Sequence, residues 1–169
     1  MRRISVLKMY WDQDSETLAR PTLEQLQLKR LRETVERVAQ RVPFYQKKFA
    51  ELNVRPEQIK SLADVARLPF TTNIDLRATY PDGLLAVPPE EPIRLHTSSG
   101  TTGKPKAIFF SRNDVNNAAE LIARSLVSTG ITPKDVFQNM MGYGLFTGGL
   151  VMHYGAEKVG CLVIPSGVL

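Results

Sequence analysis

Residues 98–106 read Ser-Ser-Gly-Thr-Thr-Gly-Lys-Pro-Lys, and they constrain the fold more than any other stretch of the chain. Four hydroxyls, two glycines and two lysines fall within nine residues, bounded by short apolar runs at 93–95 and 107–110. That order spells strand, turn, strand, with the turn built to hold an anion. Glycine lets the backbone take positive φ and come close to a ligand, so successive N–H groups can point into one concavity. Serine and threonine add donors that tolerate several oxygen positions, and lysine adds a mobile point charge. The guest that matches this set is a polyphosphate.

Two well-known phosphate loops do not fit. A Walker A loop needs G-x-x-x-x-G-K-[S/T]; counting back from Gly103-Lys104 puts Ser98 at the first glycine, and Pro105 stands at the last hydroxyl. A Rossmann G-x-G-x-x-G fails as well, because only Gly100 and Gly103 are available and a proline follows soon after. A flexible linker is the bland alternative for such a composition. Two lysines and tightly bracketing apolar runs are not linker features.

The string SSGTTGKPK resembles the phosphate-binding signature of the adenylate-forming superfamily: acyl-CoA synthetases, luciferases and peptide-synthetase adenylation domains. The preceding Arg94-Leu95-His96-Thr97 and the later Gly142-Tyr143-Gly144-Leu145-Phe146-Thr147-Gly148-Gly149 narrow the likeness to the phenylacetate–coenzyme A ligase branch. The similarity runs from about Leu18 to Pro165. It implies an α/β fold, with a helical N-terminal preface over 1–90 and the start of the AMP-binding domain, part of the large-domain sheet, over 91–169. Family members of this type are more than twice as long, so the resemblance also implies a truncated enzyme, with the rest of the large domain and a small C-terminal domain absent.

Composition bounds the remaining classes. A chain of 169 residues with 43% hydrophobic and 23% charged residues has the make-up of a globular protein, neither disordered nor membrane-spanning. Its formal charge of +5 suits a polyanionic small molecule and suits a solvated surface equally well. No lysine/arginine tract with interleaved aromatics occurs, which argues against a nucleic-acid partner. Cys161 is the only cysteine and sits in an apolar run, the setting of a buried thiol and not a nucleophile. His96 and His153 lack cysteine or acidic neighbours at ligand spacing, so no metal site is expected from this chain. The N-terminus has no apolar stretch of signal-peptide length, and a cytoplasmic enzyme with no membrane partner is the expectation.

Element signals follow in chain order. The first twenty residues read as an irregular arm whose aromatics, Tyr10 and Trp11, dock on the body. Pro21 stops anything earlier, and Thr22 with Gln25 is a capping-box signature for a helix that runs to Val42 and ends at Pro43. A shorter helix follows over 44–52. Ser61 with Asp64 and Thr72 with Asp75 are cap-like starts in a proline-rich stretch of brief elements. Beyond the loop come a strand over 107–110, a helix over 112–129 capped by Ser111 and closed by Gly130, and a strand over 136–140. A glycine-rich loop over 142–149, a short helix over 150–158 and a strand over 159–164 complete an α/β layer with a largely parallel sheet.

The family resemblance implies the chemistry. A carboxylate attacks the α-phosphorus of ATP to give an acyl-adenylate and pyrophosphate, and coenzyme A then displaces AMP to leave a thioester. Positioning and electrostatics dominate such displacements, so no nucleophile is required of the protein, and no catalytic residue is identifiable in this chain. Ser98, Ser99, Thr101 and Thr102 are the hydroxyl donors to the β and γ phosphates, Gly100 and Gly103 the backbone donors, and Lys104 the charge partner. Lys106 either joins them or points to solvent. Tyr143, Phe146, Gly148 and Gly149 border a flat slot for an aromatic acid, or else the two aromatics are ordinary core residues. Magnesium is implied by ATP, with no recognisable ligand here. Phenylacetate is the first choice of acid, ahead of indoleacetate or benzoate. The adenine-stacking motif, the ribose-binding acid and the terminal lysine of relatives cannot be located, so the isolated chain is expected to lack ligase turnover. It is also expected to self-associate or to pair with the missing portion through the sheet edge. Two other readings remain: a non-catalytic polyphosphate binder, and a helical partner-binding protein resting on the amphipathic helix of 22–42.

Overall fold

The computed structural model describes residues 10–98 and 106–168. They divide into two units. One takes the described residues up to Thr17, those from Ile93 to Ser98, and those from Phe110 onward; the other takes Leu18 to Pro92 and Lys106 to Phe109.

In the helical unit, α2 (Arg20–Arg41) starts ahead of the predicted Thr22 cap. Pro21 lies in the first turn, where its missing N–H would have had no helical partner, so the proline opens this helix and Thr22 sits inside it. Pro43 behaves in the same way. It holds Val42 extended at φ −116° and ψ 104°, which closes α2, and then itself begins α3 (Pro43–Glu51). Val35 of α2 and Phe49 of α3 form a core with Val54 and Ile59, flanked by Leu28, Leu31 and Val38. Two 3₁₀ segments, Pro56–Gln58 and Leu62–Arg67, lead to α4 (Asn73–Ala78).

The Ser61–Asp64 and Thr72–Asp75 cap signals form as read from the sequence, unlike Thr22–Gln25. The Asp64 carboxylate accepts from Ser61 N–H at 2.8 Å, and Asp75 accepts from Thr72 N–H at 2.7 Å while the Thr72 hydroxyl accepts from Asp75 N–H at 3.2 Å. Asp75 is also reached by Lys48 Nζ of α3 at 2.9 Å, and the same ammonium donates to the Phe70 carbonyl at 2.9 Å. The Thr72 N–H, then Lys48, then the Thr72 hydroxyl stabilise the carboxylate and lower its pKa to about 2.

In the α/β unit, a short helix α1 (Gln13–Glu16) replaces part of the expected irregular arm. The indole N–H of Trp11 docks on Glu120 at 2.6 Å. Strand β1 (Arg94–Thr97) is held at its entrance by Ile93 N–H donating to the carbonyl of Phe110, the last residue of β2 (Ala107–Phe110), at 2.9 Å. Ser111 and Asp114 cap α5 (Arg112–Ser128), whose buried face is Val115, Ala119, Ala123, Leu126 and Val127.

Strand β3 (Val136–Gln138) pairs in parallel with β4 (Leu162–Ile164), in the register Val136↔Leu162, Phe137↔Val163, Gln138↔Ile164. The crossover between them is α6 (Thr147–Val159), packed on α5. Phe137 and Val163 face the core of Ala123, Leu126, Val127, Ala156, Val159 and Cys161. Val136, Leu162 and Ile164 are exposed. Both strands are shorter than expected: β3 ends at Gln138, although Asn139 N–H still donates to the Ile164 carbonyl at 2.8 Å, and 159–161 belong to the end of α6. Gly160 takes φ +97° there, a left-handed cap that residues with a Cβ seldom adopt. Cys161 is buried, with Sγ 3.5 Å from the Thr132 carbonyl, and burial and then Asp135 push its thiol pKa up, as suits a core residue.

Candidate active site

Of the phosphate-loop residues, Ser99, Gly100, Thr101, Thr102, Gly103 and Lys104 lie outside the described residues. Ser98 is described, half-buried at the end of β1. Lys106, just before β2, donates from Nζ to Asn73 Oδ1 at 2.7 Å, so its ammonium is engaged with the protein and not simply pointed at solvent.

The two motifs singled out in the sequence meet at one carbonyl. Leu145, in the middle of the glycine-rich loop, accepts from Thr97 N–H at 2.9 Å and from His96 Nδ1 at 3.1 Å. A carbonyl only accepts, so Nδ1 of His96 carries the proton. The ring is 1% exposed and packs edge-on against Phe110 at 5.2 Å. Its Nε2 is buried without a hydrogen-bond partner among the described residues. The strand that leads into the phosphate loop thus clips the glycine-rich loop alongside it.

The loop itself is organised by Asn139, 2% exposed at the end of β3. Its Oδ1 accepts from Met141 N–H at 3.2 Å, and its two Nδ2 protons go to the Gly149 carbonyl and to Tyr143 Oη, both at 2.8 Å. Backbone partners on both sides settle which amide atom is oxygen. The backbone carbonyl of Asn139 accepts from Gly167 N–H at 3.0 Å and from the Ser166 hydroxyl at 3.2 Å. Tyr143 Oη lies 3.1 Å from His153 Nδ1, whose Nε2 lies 3.1 Å from Glu157 Oε1.

Tyr143 is expected from the sequence at the border of a slot for an aromatic acid or in the core. It is half-buried, with its hydroxyl tied into this network. Phe146 is 57% exposed and stands at the N-cap of α6, so it is not a core aromatic. Gly148 and Gly149 fall in the first turn of α6, which begins at Thr147 and not at 150. A side chain at Gly149 would run into the carbonyl of Gly142, and one at Gly148 would meet the Met141 side chain. At Gly149 the obstacle is backbone, so the helix and the loop can approach there only because the Cβ is missing.

Asn139, His153 and Glu157 were missed as a group. Glu157, four residues on along the same helix, is the acidic neighbour that the sequence reading denied His153, whereas an asparagine closing an apolar strand gives little sign of reaching ten residues ahead. Among the described residues, no three His, Cys, Asp or Glu side chains gather as they would around a metal ion.

Comparison with known proteins adds sequence identity to this geometry. Phenylacetate-coenzyme A ligase of Pseudomonas putida is 46% identical over 165 residues, covering 94% of this chain and 38% of that protein. The enzymes of the same name from Thermus thermophilus and Escherichia coli are 48% and 46% identical, over 93% and 89% of this chain and 35% and 34% of theirs. This chain is a homologue of the phenylacetate–coenzyme A ligases. It spans a little over a third of their length. Solved structures agree: 2-hydroxyisobutyryl-CoA ligase, in an open conformation with 2-HIB-AMP and CoA, matches with a TM-score of 0.86 at 31% identity, over 94% of this chain and 38% of that one. In its thioesterification state the TM-score is 0.87 at 32% identity, over 94% and 35%. No protein-family model matches the chain. The mixed α/β architecture is thus that of part of an adenylate-forming CoA ligase, as the phosphate-loop string and the glycine-rich loop implied.

Proposed function

We propose that this chain supplies the polyphosphate loop and part of the acyl slot of an ATP-dependent aryl acid–CoA ligase, with phenylacetate as the acid. The observation that carries the reading is 46–48% identity to phenylacetate–CoA ligases across about nine-tenths of the chain, both motifs included. The fold likeness to a ligase crystallised with an acyl-adenylate and CoA supports the same chemistry.

In this reading the carboxylate oxygen of the acid attacks the α-phosphorus, the bond to the bridging oxygen breaks, and pyrophosphate leaves. CoA thiolate then attacks the acyl carbon and AMP departs. Residues 98–104 hold the departing phosphates, with Lys104 and the loop amides offsetting charge that grows on the leaving oxygens. The 142–149 loop, clipped to β1 through Leu145, holds the acid beside them. Tyr143 and Phe146 offer it ring surface, and Phe146 is exposed enough to do so without rearrangement.

Isothermal titration of the chain with ATP and with phenylacetate tests this. ATP binding is expected to weaken at least about tenfold in Lys104→Ala, the loss of one charge-assisted contact, with phenylacetate binding unchanged. Equal ATP affinity in both proteins would contradict the reading.

A further inference from the structure

The bonding of Asn139 determines where the proton of Tyr143 can go. Both Nδ2 protons of Asn139 are spent, on Gly149 and on Tyr143 Oη, and its Oδ1 is held by Met141 N–H. Asn139 therefore donates to the phenol and cannot accept from it. The Tyr143 proton then has two destinations: His153 Nδ1, or the side of the loop away from the network.

We propose that His153, braced by Glu157, is a positioning residue that decides the direction of the Tyr143 hydroxyl. With a neutral imidazole, Nδ1 accepts from Tyr143 at 3.1 Å and Nε2–H donates to Glu157 at 3.1 Å. Every polar atom in the chain of contacts is then matched donor to acceptor, and Tyr143 offers a ligand its ring alone. With a protonated imidazole, Nδ1–H donates to Tyr143 Oη. That oxygen already accepts from Asn139, so its own proton is turned outward and becomes a donor to whatever lies in the slot. One proton on His153 thus converts an apolar wall into a polar one.

The charged and titratable groups around His153 are few among the described residues. Glu157 faces it from its own helix, and Tyr143 from the loop. Tyr154 packs edge-on against the imidazole, with Arg94 of β1 over the Tyr154 ring at 4.8 Å. On the α5 side, Lys158 and Glu120 pair with each other at 2.7 Å, and Arg124 pairs with Glu16.

The inference deepens the acyl-slot reading and rests on it for its ligand. Two measurements on the 169-residue chain keep them apart. Nitrogen-15 spectra of the imidazoles near pH 8 should show His153 as the Nε2–H tautomer with Nδ1 accepting, and Tyr143→Phe should move the Nδ1 resonance. An Nδ1–H tautomer there overturns the proposal, whether or not any ligand binds. Phenylacetate affinity gives the second readout. Measured at about pH 8 and at about pH 6, the affinity difference between the native chain and Tyr143→Phe should be larger wherever the spectra show His153 doubly protonated. His153→Asn keeps an acceptor near the Nδ1 position but cannot be charged, so it should hold the pH 8 affinity at both values. A difference between the native chain and Tyr143→Phe that does not follow His153 protonation, or a pH response that survives in His153→Asn, contradicts the proposal. Absence of phenylacetate binding altogether sinks the acyl-slot reading, and the imidazole spectra still decide the role of His153.

Discussion

Asn139 shows how much one side chain can organise. Replacement by leucine keeps the branched outline but removes the partner of the buried Gly149 carbonyl and of the part-buried Tyr143 hydroxyl and Met141 N–H. A loss of about 2–4 kcal/mol is expected in urea unfolding. Asp75 gives a pH prediction. Its folded pKa of about 2 lies below the usual carboxylate value, so its contribution is present above pH 4 or so and is lost as pH falls through the folded value. Asp75→Asn should flatten the acid limb of a stability-against-pH curve between about pH 4 and pH 2; an unchanged limb would show that Lys48 and Thr72 hold the carboxylate less firmly than the geometry indicates. Residues whose partners are local, such as the Ser61–Asp64, Thr72–Asp75 and Ser111–Asp114 caps, were legible in the sequence because three residues of spacing fix the geometry. The Asn139 network was not, since its partners depend on how a helix folds back over a loop.

At the scale of elements, α5 and α6 pack so closely that a Cβ on Gly155 would run into the side chain of Ile122. Gly155→Ala should therefore destabilise the α/β unit by about 1–3 kcal/mol through overpacking. Ile122→Ala should make room, and a double-mutant cycle read by urea midpoints should give a favourable coupling between the two changes. Additive effects would mean that the helices shift apart freely. The positions of most helices and of the four strands among the described residues could be read from apolar runs and caps. Their ends could not, for a reason visible at Pro43: the same residue closes α2 and begins α3. The glycines at 148 and 149 posed the same difficulty. Their composition spells a loop, while their place against Gly142 and Met141 makes them the start of α6.

On the whole-chain scale, the exposed outer face of the β3–β4 sheet carries Val136, Leu162 and Ile164, with Met140 beyond the strand end. Apolar surface of this kind on a short parallel sheet, an arrangement usually covered on both faces, calls for a covering layer. The chain spans a little over a third of the curated relatives it matches, so the remaining ligase sequence is the proposed cover. Sedimentation of the chain alone should show concentration-dependent association that Leu162→Lys weakens, and addition of the remaining segment of a homologous ligase should replace it with a defined complex. A monomer at all concentrations would argue that this face needs no partner.

The central claim is that 98–104 grips the polyphosphate of ATP next to a loop that holds the acid. Amide spectra of the labelled chain, titrated with ATP and then phenylacetate, address it most directly. ATP should move the signals of Ser98 to Lys104, phenylacetate should move those of Tyr143 to Gly149, and Lys104→Ala should abolish only the first response. ATP-induced shifts confined to other parts of the chain, or a Lys104→Ala protein that responds to ATP like the native one, would contradict it.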